Sequence, residues 1–331
     1  MLIKSKVDLS KHCSFRIGGQ AELFAEPANY SDLQTILAET KNRSIKPLFF
    51  GYGSNLLFPD EPSREVCYIS LKRMNEFTID KDTLITSAGI PISILALIGI
   101  ILESDLFDFT YLLPGSIGAG LFINARYFEN EMSQIVSAIS YLDLDNIDAG
   151  IKTIEVQDCQ YNYKSSIFQK RNWLITSARF NIPPQNDFSP AKISLLHEFL
   201  TSQCSYTTDL SYFFETYKEL NLRLRSGIKQ REKFTGIEQH RQQYRHFSYP
   251  SAGSIFKNIR ELGKPIGQVI DELGLKGKRI GDALISPYHG NIIINIGQAR
   301  AMDVINLIDK MSESIFKAHG ISPVAEIMII E

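Results

Sequence analysis

The chain has 331 residues, of which 44% are hydrophobic and 22% charged. It is long enough for two or three cores, and its composition is that of a folded protein rather than a disordered one. Its 35 basic side chains against 37 acidic ones give a net charge of -2, which excludes the global basic excess of a nucleic-acid binder.

Cys13, Cys67, Cys159 and Cys204 are scattered and form no C-x-x-C pair. That spacing suits neither a metal site nor a disulfide framework, so a reducing cytoplasm is expected. The segment Met1–Asp8 lacks the apolar run of a signal peptide. The most apolar stretch, Ala88–Leu102, is shorter than the ~20 residues of a membrane span and contains Gly89, Pro91 and Ser93. It reads as a turn entering a buried helix, so no membrane partner is expected.

Ser14-Phe-Arg-Ile-Gly-Gly19 places Arg16 beside two glycines, within reach of a phosphate or as a solvated turn. Ala21–Pro27 reads as a strand, and Ser31–Thr40 as a helix with Leu33, Ile36 and Leu37 on one face and Ser31 as cap. Pro47–Phe50 is an apolar strand that runs into Gly51-Tyr-Gly-Ser-Asn-Leu-Leu57. The first ~60 residues thus read as a β-α-β unit closed by a Gly-rich loop. Gly51 and Gly53 permit backbone conformations closed to other residues. Their amides, with Ser54 and Asn55, can cradle a diphosphate, although the same residues also make a plain strand-to-strand turn.

Thr83–Ser87 reads as a strand. Pro114, Gly115, Gly118 and Gly120, followed by Asn124, form a second Gly-rich stretch, bare enough to lie against a flat ring or to pack a turn tightly on a helix. Gln134–Leu142, Lys152–Val156 and Trp173–Phe180 read as strands, with Tyr161–Phe168 between the last two. Pro183–Asp187 reads as a linker. The residues from Lys192 to about Arg231 read as amphipathic helix, followed by the basic stretch His240–His246. Next comes Tyr249-Pro-Ser-Ala-Gly-Ser-Ile-Phe-Lys-Asn258, in which Pro250 and Gly253 shape the backbone around the hydroxyls of Ser251 and Ser254. Pro265–Leu273 reads as a helix capped by Gly274, Asn291–Ile296 as a strand, Ala299–His319 as a long amphipathic helix, and Val324–Ile330 as a last strand. Glu326 is the one carboxylate in that apolar strand, and burying it requires a partner.

Taken in order, these segments resemble the UDP-N-acetylenolpyruvoylglucosamine reductases, flavoenzymes of peptidoglycan precursor synthesis. The F-R-x-G-G-x-A element is matched by Phe15–Ala21, G-x-G-S-N-L-L by Gly51–Leu57, and P-S-A-G-S-x-F-K-N by Pro250–Asn258. P-G-S-I-G is matched by Pro114–Gly118, Y-R-x-S-x-F is similar to Tyr163–Phe168, and the closing segments correspond to Gly274–Asn295 and Ala325–Ile327. The resemblance implies an α+β fold: an FAD-binding domain of the vanillyl-alcohol-oxidase (PCMH) type in two subdomains, 1–65 and 66–185, and a C-terminal α+β substrate-binding domain, 186–331. The compact run from Arg241 to Ser254 looks like the shorter class of the family.

The resemblance further implies FAD as cofactor, NADPH as co-substrate and a UDP-sugar enolpyruvyl ether as substrate; a monomer is expected. It makes Ser254 the proton donor, with Lys164 and Glu326 stabilising charge on the substrate. Arg16, Gly51, Tyr52, Gly53, Ser54, Asn55 and Leu56 would hold FAD, with Pro114, Gly115, Ser116, Ile117, Gly118 and Asn124. Tyr163, Arg241, Lys257, Asn258, Lys276 and His289 would face the substrate. The chain departs from the family at Lys164, where arginine is usual, at Tyr52, and at Arg126 and the bulky residues after it. Lysine cannot make the two-point contact of a guanidinium, so a lower turnover is expected. Two alternatives accommodate these departures: a flavin oxidoreductase acting on another sugar or alcohol, and a non-catalytic flavin- or nucleotide-sugar-binding paralogue.

Overall fold

The computed structural model describes residues 2–184, 189–204, 209–227 and 229–331. Helix α1, Tyr30–Asn42, starts one residue before the expected segment, because Asn29 rather than Ser31 caps it and accepts from the amide of Asp32 at 2.9 Å. Leu33, Ile36 and Leu37 on its inner face pack against Cys67 and Ile69. These belong to the strand Val66–Ser70, which no expected element covers. That strand runs parallel to and between Leu23–Ala25 and Lys46–Phe50, and so completes the β-α-β unit. The first unit therefore extends past residue 65 to about Ser70.

The second unit is a five-stranded antiparallel sheet. Its order is Ile151–Glu155, Val136–Asp143, Trp173–Asn181, Thr83–Ser87 and Phe77–Asp80. Helix α2, Ile94–Ile101, is the apolar run, and its residues from Ile94 to Gly99 are buried. Helix α3, Ile117–Phe122, begins where Ser116 Oγ accepts from the amide of Ala119.

Helices α4 (Pro190–Phe199), α5 (Leu210–Arg225) and α6 (Glu232–Gln243) follow. The expected boundary at 185/186 does not separate them from the second unit. Phe213, Tyr217, Leu220 and Phe234 share a core with Leu95, Ile98 and Tyr111, and Tyr217 donates from its hydroxyl to Ser93 O at 2.7 Å. Their apolar faces are covered by the second unit, by α2 together with Phe77 and Tyr111, on which His197 and Phe234 stack. Of the linker expected at Pro183–Asp187, positions 185–187 lie outside the described residues, as does the side chain of Cys204.

The third unit is the sheet Ser251–Ser254, Ile292–Asn295, Ala283–Ile285 and Arg279–Ile280, covered by α7 (Ile266–Glu272) and α8 (Ala301–His319). Val304, Leu307, Met311 and Ile315 of α8 are buried against it. The last strand is shorter than expected. Only Met328–Ile329 is a strand, and it pairs in parallel with Leu56–Leu57 of the first unit. The chain end thus crosses from the third unit into the first, which is what places the site. Among the described residues no helix is long and apolar enough to cross a membrane.

Candidate active site

The three units surround a cleft of about 1360 Å³. This exceeds the roughly 300–1,000 Å³ of a single small-molecule site, so the cleft has room for two ligands side by side.

One wall is the loop after Phe50. Gly53 has φ 60°, and a Cβ there would lie 2.7 Å from both Cys13 Cβ and His12 O. Only glycine fits this left-handed, backbone-packed position. Among the described residues, none accepts from the amides of Gly53, Ser54 or Asn55. Three successive free amides make an anion cradle. Opposite stands Pro114–Gly118, so close that a Cβ on Gly115 would meet Ser54 Oγ at 3.0 Å. The residues present therefore fit a group that carries phosphates and a flat ring. Tyr52, Leu56, Pro114, Ser116 and Gly118 line the cleft with them, whereas Ile117 faces the core.

Behind the cradle lies a buried charged cluster. Lys72 pairs with Glu26 at 3.0 Å, and His12 Nδ1 lies 3.4 Å from Lys72 Nζ. Burial first, then the charge of Lys72, lowers the His12 pKa to about 4. Burial opposes ionisation of Glu26, but Lys72, His12 and Lys4 outweigh it and hold its carboxyl below the usual range.

Ser254 enters from the third unit. Four residues from Ser251 to Ser254 oppose three from Ile294 to Ile292, a bulge made possible by Gly253 at φ 75°. It turns Ser254 into the cleft lining. Ser14 Oγ donates to Ser251 O at 2.7 Å, tying this strand to the N-terminal loop.

Lys164 stands on a tight turn in which Asn162 and Ser165 exchange backbone hydrogen bonds at 3.1 Å, with Lys164 itself at φ 52°. Its Nζ lies 2.5 Å from Glu326 Oε1, and both side chains are largely buried. Glu326 is held in turn by its own amide, which donates to Ile255 O at 2.7 Å, and by Asn55 Nδ2, which donates to its carbonyl at 3.0 Å. The cradle loop and the Ser254 strand therefore hold the backbone of Glu326, and the Lys164 turn meets its carboxylate. Lys257 Nζ donates to Lys164 O at 3.5 Å, and the amide of Asn258 to Tyr163 Oη at 3.3 Å.

His289 lines the same cleft. Its Nδ1 accepts from the amide of Asn291 at 3.3 Å, which leaves the ring proton on Nε2. Burial, then the charges of His240 and Lys276, lowers its pKa to about 4, and burial takes His246 to about 2. Arg241 also borders the cleft.

Besides Ile117, three expected site residues lie elsewhere. Arg16 pairs with Asp209 at 2.5 Å, because the cap of α5 offers a carboxylate nearer than the cleft. Lys276 pairs with Asp271 at 2.6 Å. Asn124 is fully buried, and its Nδ2 donates to Asn162 O at 3.2 Å while its Oδ1 accepts from the amide of Ser133 at 3.0 Å. It buttresses the Lys164 turn instead of facing the cleft. Phe128 and His240 also line the cleft; the bulk after Arg126 and the basic stretch from His240 were the signals for them.

The profile of the UDP-N-acetylenolpyruvoylglucosamine reductase C-terminal domain matches residues 242–330. A Borreliella burgdorferi protein named UDP-N-acetylenolpyruvoylglucosamine reductase is 30% identical over 98% of this chain and 93% of its own. One from Caldanaerobacter subterraneus with the same name is 27% identical over 97% and 91%. The crystal structure of the reductase of that name from Thermus caldophilus superposes with a TM-score of 0.63 at 23% identity, covering 99% of this chain and all of that one, which shows the shared fold. With the α+β architecture, the motifs and a full-length relative in agreement, the chain belongs to the UDP-N-acetylenolpyruvoylglucosamine reductase family.

Proposed function

We propose that the protein reduces the enolpyruvyl ether of UDP-N-acetylglucosamine to UDP-N-acetylmuramate, with FAD as cofactor and NADPH as reductant. The single observation that carries this reading is the convergence of Ser254, Lys164 and Glu326 on one cleft beside a cradle of free amides. Named relatives matched over nearly the full chain support it. Cytoplasmic location and action as a monomer belong to the same proposal.

FAD bound across Gly51–Leu56 and Pro114–Gly118 supplies the hydride chemistry that links NADPH to the enolpyruvyl double bond. The chain's own residues handle charge and proton. As the methylene carbon gains hydride, negative charge builds on the substrate carboxylate. The Lys164 ammonium, fixed by Glu326, stabilises that charge in a largely water-free wall. Ser254 Oγ delivers the proton to the neighbouring carbon. Lys257 adds a second cation beside Lys164 and favours the alkoxide that serine leaves behind. Tyr163, Arg241, Asn258 and His289 face the rest of the substrate.

The test is NADPH oxidation with and without the enolpyruvyl sugar nucleotide, together with the Ser254→Ala variant. The variant should keep its flavin and still react with NADPH, but should reduce substrate at least ~100-fold more slowly. Unchanged substrate reduction removes Ser254 from the role, and a protein that cannot be loaded with FAD removes the reading.

A further inference from the structure

The hairpin after Asn124 is built at a conformational cost. Arg126–Tyr127 pairs antiparallel with Asn130–Glu131, leaving Phe128 and Glu129 as a two-residue turn. Phe128 has φ 52°, a left-handed conformation that is strained for a bulky residue. Turns of this length favour Gly, Asn or Asp at such positions. Arg126 holds the turn in place: its Nε donates to Phe128 O at 2.8 Å, and its Nη2 pairs with Glu129 at 3.1 Å. The outcome is a phenyl ring 58% exposed on the cleft wall. A further cavity of about 370 Å³ lies along the same ring.

The neighbours of Phe128 indicate what the ring is for. Tyr127 and His240 lie 4.5 and 5.3 Å from it, centroid to centroid. The guanidinium of Arg241 sits 4.5 Å from the Tyr127 centroid. Among the described residues no carboxylate pairs with Arg241, and its buried Nε donates to no protein acceptor. Burial, then the charge of Arg241, lowers the His240 pKa. An apolar face thus opens onto one end of the cleft beside a cation that rests on the rings of Tyr127 and Phe247, 4.5 and 5.3 Å away, with no carboxylate partner among the described residues.

We infer that Phe128 is a stacking platform for the heteroaromatic ring of a nucleotide, with Arg241 taking the phosphate charge beside it. This rests on the reading of the cleft as a nucleotide-sugar reductase site, and adds which end of it holds the ring. Two nucleotides could bring that ring, the UDP-sugar and the reductant.

The experiment uses the full-length, FAD-loaded protein and titration calorimetry with UDP and, separately, with NADP⁺. Loss of a base–aromatic stack weakens binding roughly tenfold or more. Phe128→Ala is expected to weaken one of the two ligands by that factor, and Phe128→Tyr to stay within roughly threefold of the parent. Weakening toward UDP alone assigns the platform to the sugar nucleotide; weakening toward NADP⁺ alone assigns it to the reductant. If Phe128→Ala, with an unchanged circular dichroism spectrum, binds both as the parent does, the inference is overturned while the reductase reading stands. A parent protein that neither binds UDP nor oxidises NADPH with the enolpyruvyl sugar overturns the reading beneath it.

Discussion

Lys164 Nζ lies 2.5 Å from Glu326 Oε1 across 162 positions of sequence. The pair is partly buried, so each charge depends on the other to offset the cost of leaving water. Glu326→Gln would keep the shape and remove the charge. Under the proposed function the expected result is a drop in kcat of roughly 100-fold or more with the fold intact. Steady-state kinetics beside a circular dichroism spectrum would show it, and a kcat within twofold of the parent would take Glu326 out of the chemistry.

Lys164 presents a point charge where a guanidinium would offer two parallel donors. Lys164→Arg is expected to raise turnover severalfold, and Lys164→Ala to lower it by roughly two orders of magnitude. If arginine turns over no faster than lysine, the second ammonium of Lys257 already supplies what the fork would add.

Gly53 is the position where the cradle tolerates no side chain. Its φ of 60° would cost a non-glycine residue about 1–2 kcal/mol, and the contacts at 2.7 Å add overpacking of about 1–3 kcal/mol. Gly53→Ala should therefore lower the calorimetric Tm by several degrees and reduce the flavin content of the purified protein. A variant with the parent's Tm and flavin content would show that the loop can shift without cost.

His12 supplies a pH test. Its folded pKa of about 4 lies below the 6.5 of a free imidazole, through burial and Lys72 against the opposing pull of Glu26 and Asp8. Between those values the unfolded chain binds a proton that the folded chain does not, so stability is full above about pH 6.5 and declines as pH falls toward 4. His289 and His246 act in the same direction. Glu26, held low by Lys72, adds a loss below the ordinary carboxylate range. Urea midpoints should fall steadily from pH 7 to pH 5, and His12→Gln should flatten that slope. A slope unchanged in the variant would place the titration elsewhere.

Local sequence determined the parts whose geometry is a local matter. Gly53, Gly115 and Gly253 mark places where the backbone needs freedom, and each has positive φ. The amphipathic period of α8 and the apolar run of α2 foretold helices buried on the faces that are buried. Motif order along the chain was enough to name the family. The tertiary structure decided what depends on competition between distant partners. Arg16 reads equally as a phosphate contact or a solvated turn residue, and it pairs with Asp209. Asn124 reads as a cleft amide, but burial turned its side chain to the backbone of Asn162. Helices α4 to α6 docked on the second unit because α2, Phe77 and Tyr111 offered the matching apolar surface. Above all, the end of the chain crosses between units to pair with Leu56–Leu57. That pairing sets Glu326 beside Lys164, and no local propensity encodes it, because the contact exists only once three separate cores have closed around it.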